Sequence, residues 1–206
     1  EILDIESRRL KSTGYVLKAN EEDVNIFNKD FPFTETADQL EAINTIYKDI
    51  ALVKPMNRVL CGDVGFGKTE VAMRSAFVCI NSNKQAILLC PSTVLSEQHY
   101  ESFLERFKNT GASIKLINRH TTKKNKDEYV KGFNNKTIDI IIGTHALFQN
   151  NVKFKDLGLL IVDEEQKFGV SIKENLRAFK TNVDVLALTA TPIPRTLQFS
   201  LMSARD

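Results

Sequence analysis

Apolar residues fall along this chain in two alternating rhythms. Short runs rich in β-branched side chains occupy residues 59–61, 86–90, 114–117, 138–142, 159–162 and 183–188. They predict strands covered on both faces. Between them, apolar positions recur three and four apart and predict helices over about 68–81, 94–108, 123–133, 172–179 and 195–202. Strands alternating with helices predict an α/β fold, a parallel sheet with helices on both faces, with ligands at the carboxyl ends of the strands.

The chain ahead of the first strand reads differently. Leu3, Leu10 and Leu17 among charged residues predict an amphipathic helix from residue 1 to about 18, interrupted near Gly14. Asn20 is placed to cap a short helix through Val24 and Phe27, after which Phe31-Pro32-Phe33 forces an extended turn. Thr36 and Gln39 then form a capping box for a helix with Leu40, Ile43, Ile46 and Tyr47 on one side. Residues 1–30 therefore read as an N-terminal helical extension, and 31–206 as the main domain. Gln39 has two readings from local sequence: it only caps, or its amide, with the aromatic Phe31 eight positions back, reads the edge and face of an adenine.

Composition adds bounds rather than a function. The 206 residues are 42% hydrophobic and 26% charged, enough for one sizeable core, and a net charge of +2 leaves any polyanion contact to a local patch. Cys61, Cys79 and Cys90 are odd in number, lack metal-like spacing and fall in apolar patterns. They read as buried free thiols of a reducing cytoplasm. No long apolar run or signal pattern appears, so no membrane association is expected.

The first strand breaks into Gly62-Asp63-Val64-Gly65-Phe66-Gly67-Lys68-Thr69, which fits the spacing of a phosphate-binding loop. Glycines let backbone N–H groups turn inward on phosphate oxygens, the Lys68 ammonium follows the β- and γ-phosphates, and the Thr69 hydroxyl is a ligand for Mg²⁺. The helix that opens here adds the positive end of its dipole. Far downstream, the run 159–162 ends in Asp163-Glu164. A buried strand ending in acids aims Asp163 at the same Mg²⁺ and leaves Glu164 to orient or deprotonate the attacking water.

With both elements in place, several words of the chain resemble one family. Asp163-Glu164-Glu165-Gln166 is similar to motif II of superfamily 2 helicases and translocases, and Thr189-Ala190-Thr191-Pro192 is similar to their motif III. Together with the phosphate loop, Phe168-Gly169-Val170 and the stretch 189–197, these words resemble the bacterial transcription-repair coupling factors, DNA translocases that act on stalled RNA polymerase. The RecG branch-migration helicases share most of the same words, usually with serine in place of Phe66. In the family, motif II often ends in histidine and arginine where this chain has Gln166-Lys167. Asn118-Arg119-His120 stands where relatives often have Ser-Arg-Phe, so Arg119 alone matches.

The resemblance implies a RecA-like lobe and roles that local reading left open. Phe31 and Gln39 match the adenine-recognition segment, and Gln166 matches a catalytic position beside Lys68, Asp163 and Glu164. Ser92, Thr93, Gln98 and His99 resemble motif Ia, and Gly143, Thr144 and His145 resemble motif Ib; in the family both face the DNA backbone, as does Arg119. By local reading alone Thr93 and Thr144 are helix N-caps, and Lys123, Lys124 and Lys126 form a solvated helix face. Thr189 and Thr191 are implied to couple the γ-phosphate to DNA.

The implied activity is ATP hydrolysis by the first of two motor lobes on double-stranded DNA. RNA polymerase and nucleotide-excision-repair proteins are implied partners through regions outside this chain. The second lobe supplies the arginine finger in the family, so the isolated lobe is expected to be nearly inactive. The alternatives are the first lobe of a RecG-like fork-remodelling helicase and a nucleotide-dependent DNA-binding module without turnover.

Overall fold

The computed structural model describes residues 13–148, 154–169, 172, 173, 176 and 182–190. Residues 13–20 are not helical. The Gly14 N–H donates to Val53 O at 2.7 Å and the Leu17 N–H to Ile50 O at 2.9 Å, with Leu17 buried. A non-helical segment bonded to residues 50–53, at and just beyond the end of the Ala37–Ile50 helix, buries the same leucine that suggested helical periodicity. The rest of the expected N-terminal helix, the helix expected over 195–202 and most of that over 172–179 lie outside the described residues.

Helix α1 (Glu21–Lys29) starts where Asn20 accepts from the Glu22 N–H, and α2 (Ala37–Ile50) starts at the expected Thr36–Gln39 capping box. From there strands and helices alternate as expected: β1 (Asn57–Cys61), α3 (Lys68–Asn81), β2 (Gln85–Leu89), α4 (Thr93–Phe107), β3 (Ile114–Ile117), α5 (Lys123–Asn134), β4 (Ile140–Gly143), β5 (Leu157–Asp163) and β6 (Asp184–Thr189). Single 3₁₀ turns follow β4 and β5.

All six strands are parallel, in the order β1-β6-β5-β2-β4-β3. The period-two pleat divides their apolar residues between two cores. Ala86, Leu88, Ile140, Ile142, Leu159 and Ile161 face one way, into a core with α1 to α4; Ile87, Leu89, Ile141, Leu160 and Val162 face the other, with Phe133 of α5 and Leu147. The doubly covered central strands explain why their sequences read as continuous apolar runs.

β1 departs from that expectation. It is an edge strand paired with β6 alone, so Val59 is half-exposed and Cys61 is exposed, whereas Cys79 and Cys90 are buried as expected. Burial holds both buried thiols well above the ordinary thiol range.

The strand order has a functional consequence. The carboxyl ends of β1, β6 and β5 carry the phosphate loop, Thr189 and Asp163; those of β2, β4 and β3 lead into Ser92, Thr144 and Arg119. Residues expected at nucleotide and residues expected at nucleic acid thus occupy adjacent halves of one sheet edge.

Candidate functional site

The phosphate loop is bent by its glycines. Gly65 and Gly67 have φ of 87° and 73°, and a Cβ on Gly67 would also run into the Gln39 amide. Its first residue is tied to the sheet, the Gly62 N–H donating to Thr189 O at 3.1 Å. Lys68 begins α3 and folds its ammonium back over the loop onto Gly62 O and Asp63 O. Val64 and Phe66 are 87% and 65% exposed; of these two cofactor-site candidates Val64 lines the same cleft as Lys68 and Phe66 does not.

One cleft of about 1050 Å³ collects the candidates: Phe31, Lys68, Thr69, Asp163 and Glu164 all line it. A pyrophosphate chain with a divalent ion fits this donor set. An ammonium beside a glycine-bent loop suits phosphate, and Thr69 with Asp163 offers two hard oxygens, as Mg²⁺ takes from protein when phosphate and water supply the rest.

Glu164 has a left-handed backbone (φ 50°, ψ 54°), which turns the chain sharply off β5. Its carboxylate accepts from the Ala190 N–H at 3.0 Å and from the Gln166 amide. Motif II and the start of motif III are therefore joined directly; Thr191 lies outside the described residues.

Gln39 forms the expected capping box and also reaches the phosphate loop. Its carbonyl accepts from the Thr36 N–H at 2.9 Å while its amide nitrogen donates to Phe66 O at 2.8 Å, so these bonds use one of its two N–H groups and one of its two lone pairs.

The nucleic-acid candidates divide. Ser92 rather than Thr93 caps α4, accepting from the Leu95 N–H at 3.2 Å. Gln98 and His99, on the same helix, line the cleft shared by Lys68 and Asp163 instead. His99 Nε2 lies 3.0 Å from Asp163 Oδ2. His99 thus meets the end of β5, although Ser92 and Thr93 at the start of the same helix follow β2.

The loops after β3 and β4 meet at their backbones, the Thr144 N–H donating to Ile117 O at 3.1 Å. Gly143 O is taken by the Cys90 N–H, and the Thr144 hydroxyl is turned inward toward the Ala146 N–H. Thr144 is buried, whereas Arg119, His120 and His145 are exposed. The Thr144 hydroxyl is therefore turned away from solvent, and Arg119, His120 and His145 are the side chains this end exposes.

Lys126 corrects the expected solvated face: it is buried, and its ammonium is bonded to Ala146 O beneath the Thr144–His145 turn. Burial pushes that ammonium below the ordinary lysine range. Sequence reading also missed the partners of His99, and a buried group of charges around Phe31. The signal available for the latter was Glu70 and Arg74, an i,i+4 pair on an otherwise apolar helix face.

Known proteins resemble this chain in sequence and fold. The DEAD/DEAH box helicase family model matches residues 36–199. Over all 206 residues the chain is 50% identical to the transcription-repair-coupling factor of Bacillus subtilis (strain 168) and 48% identical to that of Escherichia coli (strain K12). It spans 18% of the length of each. It is also similar to the solved structure of RecG bound to a three-way DNA junction, with a TM-score of 0.85 and 35% identity over 98% of this chain and 27% of that one. The six-stranded parallel sheet is a RecA-like helicase lobe.

Proposed function

The chain belongs to the DEAD/DEAH box helicase family, and we propose that it is the ATP-binding lobe of a double-stranded DNA translocase of the transcription-repair coupling kind. The observation that carries this reading is the single cleft shared by Phe31, Lys68, Thr69, Asp163 and Glu164. Identity of 50% with a coupling factor, against 35% with RecG, favours coupling over fork remodelling.

In this reading Phe31 and Gln39 hold the adenine, the loop backbone and Lys68 hold the phosphates, and Thr69 and Asp163 hold Mg²⁺. Magnesium, when bound, draws off charge developing on the phosphates. Glu164 accepts a proton from water, and its bonds to Ala190 and Gln166 fix where the carboxylate points. His99 is a positioning residue: by occupying one oxygen of Asp163 it leaves the other for the ion. Duplex DNA runs over the ends of β2, β4 and β3, where Arg119, His145 and the start of α4 meet phosphates without reading bases. RNA polymerase and repair proteins are engaged through other regions of the full-length protein, in which a second lobe completes catalysis.

The test is phosphate release by the full-length protein with duplexes of several sequences across a salt series. The reading expects stimulation by all duplexes, falling steeply with salt. No stimulation, or strong dependence on base sequence, contradicts it.

A further inference from the structure

Two arginines stand against the ring of Phe31. The guanidinium carbon of Arg74 lies 5.2 Å from its centroid and that of Arg106 lies 5.8 Å away, while Phe33 meets the ring edge-on at 5.5 Å. Neither arginine is free to move. Arg74 donates to Glu70 at 2.8 Å and to Glu35 at 2.5 Å. Arg106 donates to the two oxygens of Glu70 at 2.8 and 3.0 Å, and to Phe27 O at 2.8 Å. It also lies over the Phe27 ring at 3.8 Å.

The side chains of Arg74, Arg106 and Glu70 are 2%, 9% and 9% exposed, and that of Glu35 is 22% exposed. Two guanidiniums and two carboxylates thus balance in a nearly dry space. Stability alone does not account for them, since apolar side chains of similar volume often serve as well as a buried ionic group. What this group supplies is fixed geometry between distant segments. Glu70 follows Thr69 in the first turn of α3, Arg106 ends α4, and Glu35 lies between Phe31 and the Gln39 capping box. Phe31, Glu70 and Arg106 all line the cleft.

We propose that the Glu35–Arg74–Glu70–Arg106 network sets base recognition by holding Phe31 as a fixed stacking face in register with the phosphate-loop helix. Arg74 and Arg106 are positioning residues that act through Phe31. The inference rests on the ATP-binding reading and deepens it: the network governs affinity for the base, whereas Lys68 and the loop govern affinity for the phosphates.

Two ligands separate these contributions, ATP and inorganic tripolyphosphate, which carries the phosphate chain without a base. Both are titrated calorimetrically with Mg²⁺ against the chain, its fold checked by circular dichroism. Arg106→Met and Phe31→Leu should each weaken ATP binding roughly tenfold, the scale of one base–aromatic stack. Each should leave tripolyphosphate affinity unchanged. The double variant should be no weaker than either single one, because both changes remove the same contact.

Should Arg106→Met fail to fold, Glu35→Gln carries the comparison. It removes the outermost acid and leaves Arg74 paired with Glu70, so a smaller loss confined to ATP is expected. Equal losses for the two ligands, additive losses in the double variant, or no loss in any variant would overturn the proposal while the ATP-binding reading stands. A wild-type chain that binds neither ligand overturns both.

Discussion

His99 Nε2 and Asp163 Oδ2 lie 3.0 Å apart, so the helix that begins at Ser92 is bonded to the carboxylate expected to hold magnesium. Both side chains are nearly buried, at 12% and 11% exposed, where a carboxylate without its partner would be free to turn. His99→Ala is therefore expected to raise the Mg²⁺ concentration needed for half-maximal ATP binding by roughly 10- to 100-fold, as loss of a group orienting a metal ligand typically does. His99→Gln, which keeps an N–H donor, should recover part of that. A magnesium titration at fixed nucleotide reads both, and unchanged magnesium dependence in the alanine variant would remove His99 from the site.

Glu164 is the residue whose loss should separate binding from turnover. In Glu164→Gln the retained carbonyl can still accept from the Ala190 N–H, so the join between motifs II and III survives. The proton acceptor does not. The full-length variant should bind ATP normally and hydrolyse it about 10²- to 10⁴-fold more slowly. Wild-type turnover would favour a binding module that uses ATP without cleaving it.

Gly67 joins two requirements in one position. Its φ of 73° disfavours any side chain, and a Cβ there would displace the Gln39 amide from its bond to Phe66 O. Gly67→Ala should thus weaken ATP binding and lower the melting temperature, by a strain of about 1–3 kcal/mol. Thermal melts with and without nucleotide measure the two effects; a variant that matches wild type in both would mean the loop rearranges at no cost.

Acid should loosen the base end of the cleft. The hydrogen bond from Arg74 holds Glu35 below the ordinary glutamate range, and Asp156 is held low by the bond from Lys84, with help from Lys136. A carboxyl whose folded value is depressed adds stability that is fully present above its unfolded value and is lost as pH falls through the folded one. Melting temperature should fall on the acid side, and Glu35→Gln should flatten part of that fall. Melts from pH 7 to about pH 3 read the difference; an identical acid profile in the variant would show that Glu35 does not contribute.

Much of this was legible in the chain because strong local signals agreed with the global fold. The apolar runs that became β2, β4 and β5 are covered on both faces, and the Thr36–Gln39 box and Asn20 cap formed where spacing put them. Errors came where tertiary context decides. Val59 reads as buried but lies on an edge strand, Lys126 reads as solvated but sits under a turn, and Leu17 reads as helical but is buried in a non-helical segment. In the site, glycines and strand-terminal acids announce themselves by spacing. His99 and Arg106 do not, because their partners Asp163, Glu70 and Phe27 lie far away in the chain and only tertiary packing brings them together.

The cleft between the phosphate loop and the carboxyl ends of β5 and β6 is proposed to bind ATP through Lys68, and calorimetric titration of the chain with Mg·ATP tests this most directly. The Lys68 ammonium is already held over the loop by Gly62 O and Asp63 O, placed to exchange those carbonyls for phosphate oxygens. Wild type should show saturable binding at one site. Lys68→Ala, with its fold verified, should bind roughly tenfold or more weakly, the scale of a lost charge-assisted hydrogen bond. Equal affinity in the two proteins, or no saturable binding by wild type, would contradict the account.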